Sequence, residues 1–159
     1  PRSMDRKPET RICLKCGIAK PIDDFETRRL RCRSCKRAGD NKNASSSYVV
    51  YLYGLHVVVK TRAKRRNQTM TLTRDDLVAL WDAQNGRCAL SGVVMTHHRD
   101  GTGKKEFNAS LDRISNVGGY DRHNCQLVAY RVNILKNKLT EDNFYWWIKT
   151  IHDLSLIHI

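Results

Sequence analysis

Two Cys-x-x-Cys pairs, Cys13/Cys16 and Cys32/Cys35, separated by fifteen residues, constrain this chain more than any other feature. Four thiolates at that spacing can close a tetrahedral zinc shell, and two residues between paired ligands let backbone N–H groups point at the sulfurs. The Lys and Arg residues around the pairs favour the thiolate form. Disulfides and a redox pair are the competing readings; four cysteines rather than two, with no helix-start pattern, favour Zn²⁺. A shell of four thiolates leaves no open position for water or substrate, so the expected metal is structural and residues 11–38 are expected to fold around it.

The rest of the 159-residue chain is long enough for one ordinary domain. Its longest apolar stretch, 48–59, is broken by Gly54 and His56, so no membrane span is expected. No secretory pattern opens the chain, which gives an expectation of a cytoplasmic, intracellular protein. Lys plus Arg outnumber Asp plus Glu by 29 to 16, an electrostatic footprint for a polyanion. The competing explanation is charge for solubility alone, but the cations are clustered, as phosphate binding requires. Arg28, Arg29, Arg31, Arg33, Lys36 and Arg37 crowd the second cysteine pair, and Lys60, Arg62, Lys64, Arg65 and Arg66 form a second block. Nucleic acid is the expected partner, with Arg28, Arg29, Arg31, Lys64, Arg65, Arg66 and Lys136 as candidate contacts.

Composition and periodicity divide the chain into a zinc module (11–38), a basic linker or helix (39–68) and a main domain (69–154) of α+β class. Residues 48–66 suit strand or helix, with length and the basic tail favouring helix. Thr73 and Asp76 form a capping pattern for a helix to about residue 84, burying Leu77, Leu80 and Trp81, and ending at Asn85-Gly86. Residues 87–95 read as a hairpin turning at Ser91-Gly92, 96–109 as a loop, 109–114 as a strand and 115–123 as a Gly-rich loop. Residues 124–137 read as a helix with Val128, Val132 and Leu135 on one face. Thr140 caps a last helix, whose Phe144, Tyr145, Trp146 and Trp147 are expected as core rather than as a stacking platform for bases. Residues 1–10 and 154–159 show no pattern and receive no role.

Metal-assisted phosphodiester cleavage needs carboxylate or amide oxygens to hold a divalent ion at the scissile phosphate, and a base for the attacking water. Asp112, Asn124, Asn133 and Lys136 offer such a set. Leu-Asp-Arg-Ile (111–114), Gly-Gly-Tyr (118–120), Asn-Cys-Gln-Leu (124–127) and Asn-Ile-Leu-Lys (133–136) resemble, in order and spacing, the motif of the HNH nucleases, the His-Me finger or ββα-metal superfamily. The resemblance spans roughly residues 70–140 and implies a ββα-metal core flanked by helices. It further implies DNA endonuclease activity, with Asp112 and Asn133 on Mg²⁺ or Mn²⁺ and Asn124 holding the loop and orienting the base. The cysteine module resembles zinc knuckles that precede such domains in phage and mobile-element proteins.

Two departures stand out. Members of the family often carry a second zinc site; here Cys88 is kept but Ser91, Ala129 and Val132 replace its partners, so Cys88 and Cys125 are expected as buried thiols. Arg113 stands where the family has its general-base His, and a guanidinium cannot abstract a proton from water. His97, His98 and His123 are the available imidazoles, and Arg113 is expected to clamp the phosphate. The bland readings are a salt bridge to Arg113 or a turn cap for Asp112, and a solvent-facing helix position for Asn133. A non-catalytic zinc-containing DNA-binding protein on a degenerate HNH scaffold is the rival to the nuclease. RNA remains open as a substrate, and the residues do not speak to oligomeric state.

Overall fold

The structure, a computed structural model, describes residues 9–99 and 105–157. The chain divides into two compact units, Pro1–Asn43 and Ala44–Ile159.

In the first unit, strands β1 (Thr10–Ile12) and β2 (Ala19–Pro21) pair antiparallel. The turn between them closes through Gly17, whose φ of +70° places its N–H 2.8 Å from the Cys13 carbonyl. A bridge between Phe25 and Cys32 leads into helix α1 (Arg33–Ala44). The buried apolar side chains are Cys13, Phe25 and Cys32, with Cys35 packed against them. So small a core cannot hold a fold by apolar burial alone. Part of the expected linker, 39–44, is helical: the Lys36 N–H to Cys32 carbonyl bond (3.0 Å) makes the costly first turn, after which each further residue adds a bond.

The second unit opens with α2 (Tyr48–Arg65), capped by the Ser47 hydroxyl on the Val49 N–H. Leu52, His56, Val59 and Ala63 are buried at spacings of four, three and four, the stripe of a helix. That stripe settles the strand-or-helix ambiguity. Arg62, Lys64 and Arg65 in its last turn complement the helix dipole. Helix α3 (Arg74–Ala83) begins at the expected box, with Thr73 and Asp76 capping each other's backbone N–H, and buries Leu77 completely. Asn85 and Gly86, both at positive φ, end it, and residues 87–94 form the expected turn with Gly92 at φ +70°.

Strands β3 (Ala109–Arg113) and β4 (Cys125–Ala129) pair antiparallel, setting Asp112 opposite Gln126 and Arg113 opposite Cys125. Helices α4 (Tyr130–Lys136) and α5 (Glu141–Ile157) follow, the latter capped by the Thr140 hydroxyl on the Asn143 N–H. The expected helix over 124–137 is therefore corrected to a strand and a short helix. Cys125, Leu127, Val128 and Ala129 are buried on both faces of β4, so period-two alternation is lost and the apolar run imitates a helix face. Leu135, expected on the buried face, is exposed. Leu52, Val59, Leu77, Met95, Leu111 and Leu127 lie in the main core, and Cys88 and Val128 join it with Val132 packed alongside. Of the four aromatics of α5 only Phe144 is buried; Tyr145, Trp146 and Trp147 are 45–58% exposed, contrary to the core expectation. No described helix is long and apolar enough to cross a membrane.

Candidate metal centre and active site

The Sγ atoms of Cys13, Cys16, Cys32 and Cys35 all lie within 4.8 Å of one another. A tetrahedral zinc with bonds of about 2.3 Å needs sulfurs about 3.8 Å apart, so the cluster fits that ion with little closure. Two backbone N–H groups, from Cys32 at 3.3 Å and Lys15 at 3.4 Å, donate to the Cys13 sulfur. The Cys32 N–H is the main reason the Cys13 pKa falls to about 6. The Cys32 thiol is also lowered, first by the Ser34 hydroxyl 3.1 Å away. Cys35 is pushed up to about 12, first by its hydrogen bond with Cys32. A divalent cation binds thiolates, so metal loading of this cluster would release the remaining thiol protons. Among the described residues no other group of three or more His, Cys, Asp or Glu gathers in this way. Cys88 and Cys125 are buried free thiols, and burial pushes Cys125 up to about 12, as for an inert thiol.

Side chains alternate along β3, so Ser110 and Asp112 share one face while Leu111 and Arg113 share the other. Asp112 Oδ2 accepts from Lys136 Nζ at 2.8 Å and from Gln126 Nε2 at 3.1 Å, and Lys136 Nζ also donates to the Arg113 carbonyl at 2.9 Å. One helical turn before Lys136, Asn133 Nδ2 donates to Ser110 Oγ at 2.7 Å and to the Leu111 carbonyl at 3.1 Å. Asp112 and Asn133 therefore each find a partner across the seam at the junction of β3 and α4. Their Oδ1 atoms make no hydrogen bond among the described residues. The enclosed side-chain atoms lacking a partner there are His56 Nδ1 and His97 Nδ1, so both of these oxygens keep some access to solvent. Carboxylate and amide oxygens are the donor types that hard divalent ions such as Mg²⁺ or Mn²⁺ take.

Two expectations about this seam, and one competing reading, are corrected. Lys136 is 0% exposed, and an ammonium held by Asp112 inside the seam is not a surface phosphate contact. The ion-pair partner of Asp112 is Lys136 rather than Arg113, because Arg113 points from the opposite face of the strand. There its Nη1 donates to the Gly118 carbonyl at 2.6 Å and the Asn116 carbonyl at 3.3 Å, and its guanidinium lies 5.2 Å from the Tyr120 ring centroid. The Gln68 amide, oxygen turned inward, accepts from both Nη1 and Nη2 at 3.2 Å. Arg113, expected to clamp a phosphate, is engaged by the 114–120 loop.

Asn124 holds the same loop from its other end. Its Oδ1 accepts from the Ser115 N–H at 2.8 Å, and its Nδ2 donates to the carbonyls of Ser115 (3.0 Å) and Gly119 (2.9 Å). A Cβ on Gly118 would fall 2.7 Å from Asn124 Nδ2, and one on Gly119 would fall 2.6 Å from the Thr69 carbonyl oxygen, so close approach requires both glycines.

The three imidazoles separate. The His97 ring packs among Tyr51, Trp81 and His98 at 5.5–6.4 Å, while the Asn108 amide bonds the Thr96 hydroxyl and the His98 backbone. Asn108 precedes β3, so this group sits four residues, about 13 Å of strand, from Asp112. His123 is exposed and adjoins Asn124 at the Arg113 end of the hairpin.

Gln126 and Glu141, joined at 2.6 Å, complete the hydrogen-bonded chain from Asp112, and Gln68 and Tyr120 complete the surroundings of Arg113; sequence reasoning gave none of them a role. Gln126 lies inside the Asn-Cys-Gln-Leu motif, and its place opposite Asp112 follows once 124–128 is read as a strand. Arg28, Arg29, Arg31, Lys64, Arg65 and Arg66 are exposed and form no ion pair among the described residues.

The fold is mixed helix and strand, with a strand–strand–helix segment carrying Asp112, Asn124 and Asn133 and a separate four-cysteine cluster. No family model matches the chain, and no curated protein matches it. Among solved structures it aligns with the rare-cutting HNH restriction endonuclease PacI, at a TM-score of 0.44 and 14% identity, over 91% of this chain and 94% of that one.

Proposed function

We propose that the chain is a metal-dependent DNA endonuclease of the HNH type with a structural Zn²⁺ site on Cys13, Cys16, Cys32 and Cys35. The observation that carries this reading is the pair of unpartnered oxygens, Asp112 Oδ1 and Asn133 Oδ1, in one strand–helix seam at the positions the HNH resemblance marks as ligands. A Mg²⁺ or Mn²⁺ ion held there would polarise the scissile phosphate and stabilise its developing charge. Lys136 fixes the Asp112 carboxylate and keeps its charge compensated inside the seam. Asn124 and Arg113 pin the loop that follows β3, so the site rests on a braced segment. His123 is the imidazole at this end of the hairpin and is assigned the base, in preference to His97 and His98. Lys64, Arg65 and Arg66 supply sequence-independent phosphate contacts.

Supercoiled plasmid incubated with Mg²⁺, Mn²⁺, Ca²⁺ or a chelator tests the reading. Nicking is expected with the first two ions, is lost in Asp112→Ala and Asn133→Ala, and falls in His123→Ala but not in His97→Ala. Undiminished cutting by Asp112→Ala removes the assigned roles. A structured RNA in the same assay decides whether cleavage is confined to DNA.

The second reading is a DNA-binding protein that has lost the chemistry. The ammonium already seated on Asp112 and the guanidinium in place of the expected imidazole favour it. Salt-sensitive binding with no cleavage in any metal would establish it.

A further inference from the structure

The zinc module contains a concavity of about 560 Å³, within the size range of small-molecule sites. Lys15, Arg28, Arg29, Arg31 and Lys36 line it, and no carboxylate does. Only Lys36 is paired, with Glu26 at 2.5 Å; the other four form no ion pair among the described residues. A smaller concavity nearby, lined by Glu26, Arg33, Lys36, Arg37 and Asp40, carries two carboxylates among its cations, so its charge is largely balanced. The uncompensated charge is thus local to the first concavity and is not a general property of the module.

Two further features make this more than a charged surface. Its remaining members are Leu14 and Leu30, 72% and 56% exposed, tied by a 3.0 Å bond from the Leu14 N–H to the Leu30 carbonyl. Arg28 adopts φ +60°, a left-handed conformation that strains a non-glycine residue and is usually left to glycine. Arginine at this position puts its side chain in the lining of the concavity despite that strain. Cations beside exposed apolar side chains suit a ligand that is anionic at one end and flat and weakly polar at the other. A nucleotide unstacked from its neighbours has that form: phosphate to the guanidinium groups, base face to the leucines. A base-paired duplex hides its base faces and offers a recess of this kind only phosphate.

We propose that this concavity binds an unpaired nucleotide of single-stranded DNA, making the zinc module a reader of unpaired structure in its own right. The proposal extends the DNA-binding part of the function above and does not depend on cleavage.

The test uses the full zinc-loaded chain without Mg²⁺ or Mn²⁺ and follows anisotropy of a fluorescein-labelled oligothymidylate of about ten residues, against a duplex of similar length. Arg28→Gly removes the guanidinium while providing the residue best suited to φ +60°, so the backbone is preserved. It is expected to weaken oligothymidylate binding about tenfold and to lower the salt slope by about 0.7. Leu14→Ser with Leu30→Ser is expected to weaken binding about tenfold with an unchanged slope, because no phosphate contact is lost. Zinc content equal to that of the parent protein confirms that each variant remains folded. Oligothymidylate affinity within about twofold of the parent in both variants overturns the proposal. Equal losses for duplex and single strand do so too, and would make the concavity a general phosphate contact. The nuclease reading is tested by plasmid nicking with the parent chain and its Asp112 and Asn133 variants, none of which enters this binding assay, so failure here is distinguishable from failure of that reading.

Discussion

Lys136→Met offers a stringent test of the seam. The side chain is 0% exposed and its Nζ contacts Asp112 Oδ2 at 2.8 Å and the Arg113 carbonyl at 2.9 Å. Methionine fills similar volume, so packing is largely kept and the electrostatic change dominates. Asp112, 6% exposed, is left with Gln126 as its donor among the described residues. Removing one member of a buried ion pair costs about 3–5 kcal/mol, and partial solvent access at Oδ1 places the expectation near the lower end, about 3 kcal/mol. Trp81, Trp146 and Trp147 all belong to the Ala44–Ile159 unit, so tryptophan fluorescence during urea unfolding reports on that unit. Asp112→Asn removes the stranded charge, and combined with Lys136→Met it is expected to recover more than about 1 kcal/mol relative to the sum of the single losses. Mg²⁺ is expected to stabilise Lys136→Met more than the parent, because a cation replaces the missing ammonium. A loss below about 1 kcal/mol for Lys136→Met, or strict additivity in the double variant, would refute the account of the seam.

The zinc module is expected to bind one Zn²⁺ per chain and to lose its secondary structure on chelation, since its core is limited to Cys13, Phe25 and Cys32 with Cys35 alongside; metal analysis and far-UV circular dichroism check this. Gly119→Ala drives a Cβ to 2.6 Å from the Thr69 carbonyl oxygen, a backbone atom that cannot swing aside, so a stability loss of about 1–3 kcal/mol is expected by urea unfolding, with reduced nicking. Thr73→Ala is expected to cost about 1 kcal/mol by loss of the cap. The Thr73 hydroxyl, followed by its backbone N–H, lowers the pKa of Asp76. The contribution of that carboxylate is therefore present above the ordinary aspartate value and is lost as pH falls through the lowered one, and acid titration of stability should show it in the parent and to a smaller extent in Thr73→Ala, which keeps the backbone N–H.

Some of this protein is written locally. The cysteine spacing, the Thr73/Asp76 box, the Asn85-Gly86 stop and the Thr140 cap act over a few residues, and the structure forms each where those residues stand. Asn124 also acts within a short stretch, bonding Ser115 and Gly119. What could not be read is decided by long-range partners. Residues 125–129 carry an apolar run that suits strand or helix, and the choice falls to hydrogen bonds from β3, whose partners lie from twelve residues away (Arg113 with Cys125) to twenty (Ala109 with Ala129). Which partner Asp112 takes depends on strand pleat and on one turn of α4, so Lys136 is buried and Arg113 faces away. Likewise α5 has the aromatic content of a core helix, yet only Phe144 reaches the core, because burial depends on what packs against a face and not on the face alone. Sequence by itself determined the four-cysteine cluster, the caps and the identities of the candidate ligands, for these are properties of near neighbours along the chain. Tertiary structure alone decided which atoms of those ligands remain free, because hydrogen-bond partners brought together across β3, β4 and α4 are distant in sequence and compete for the same oxygens.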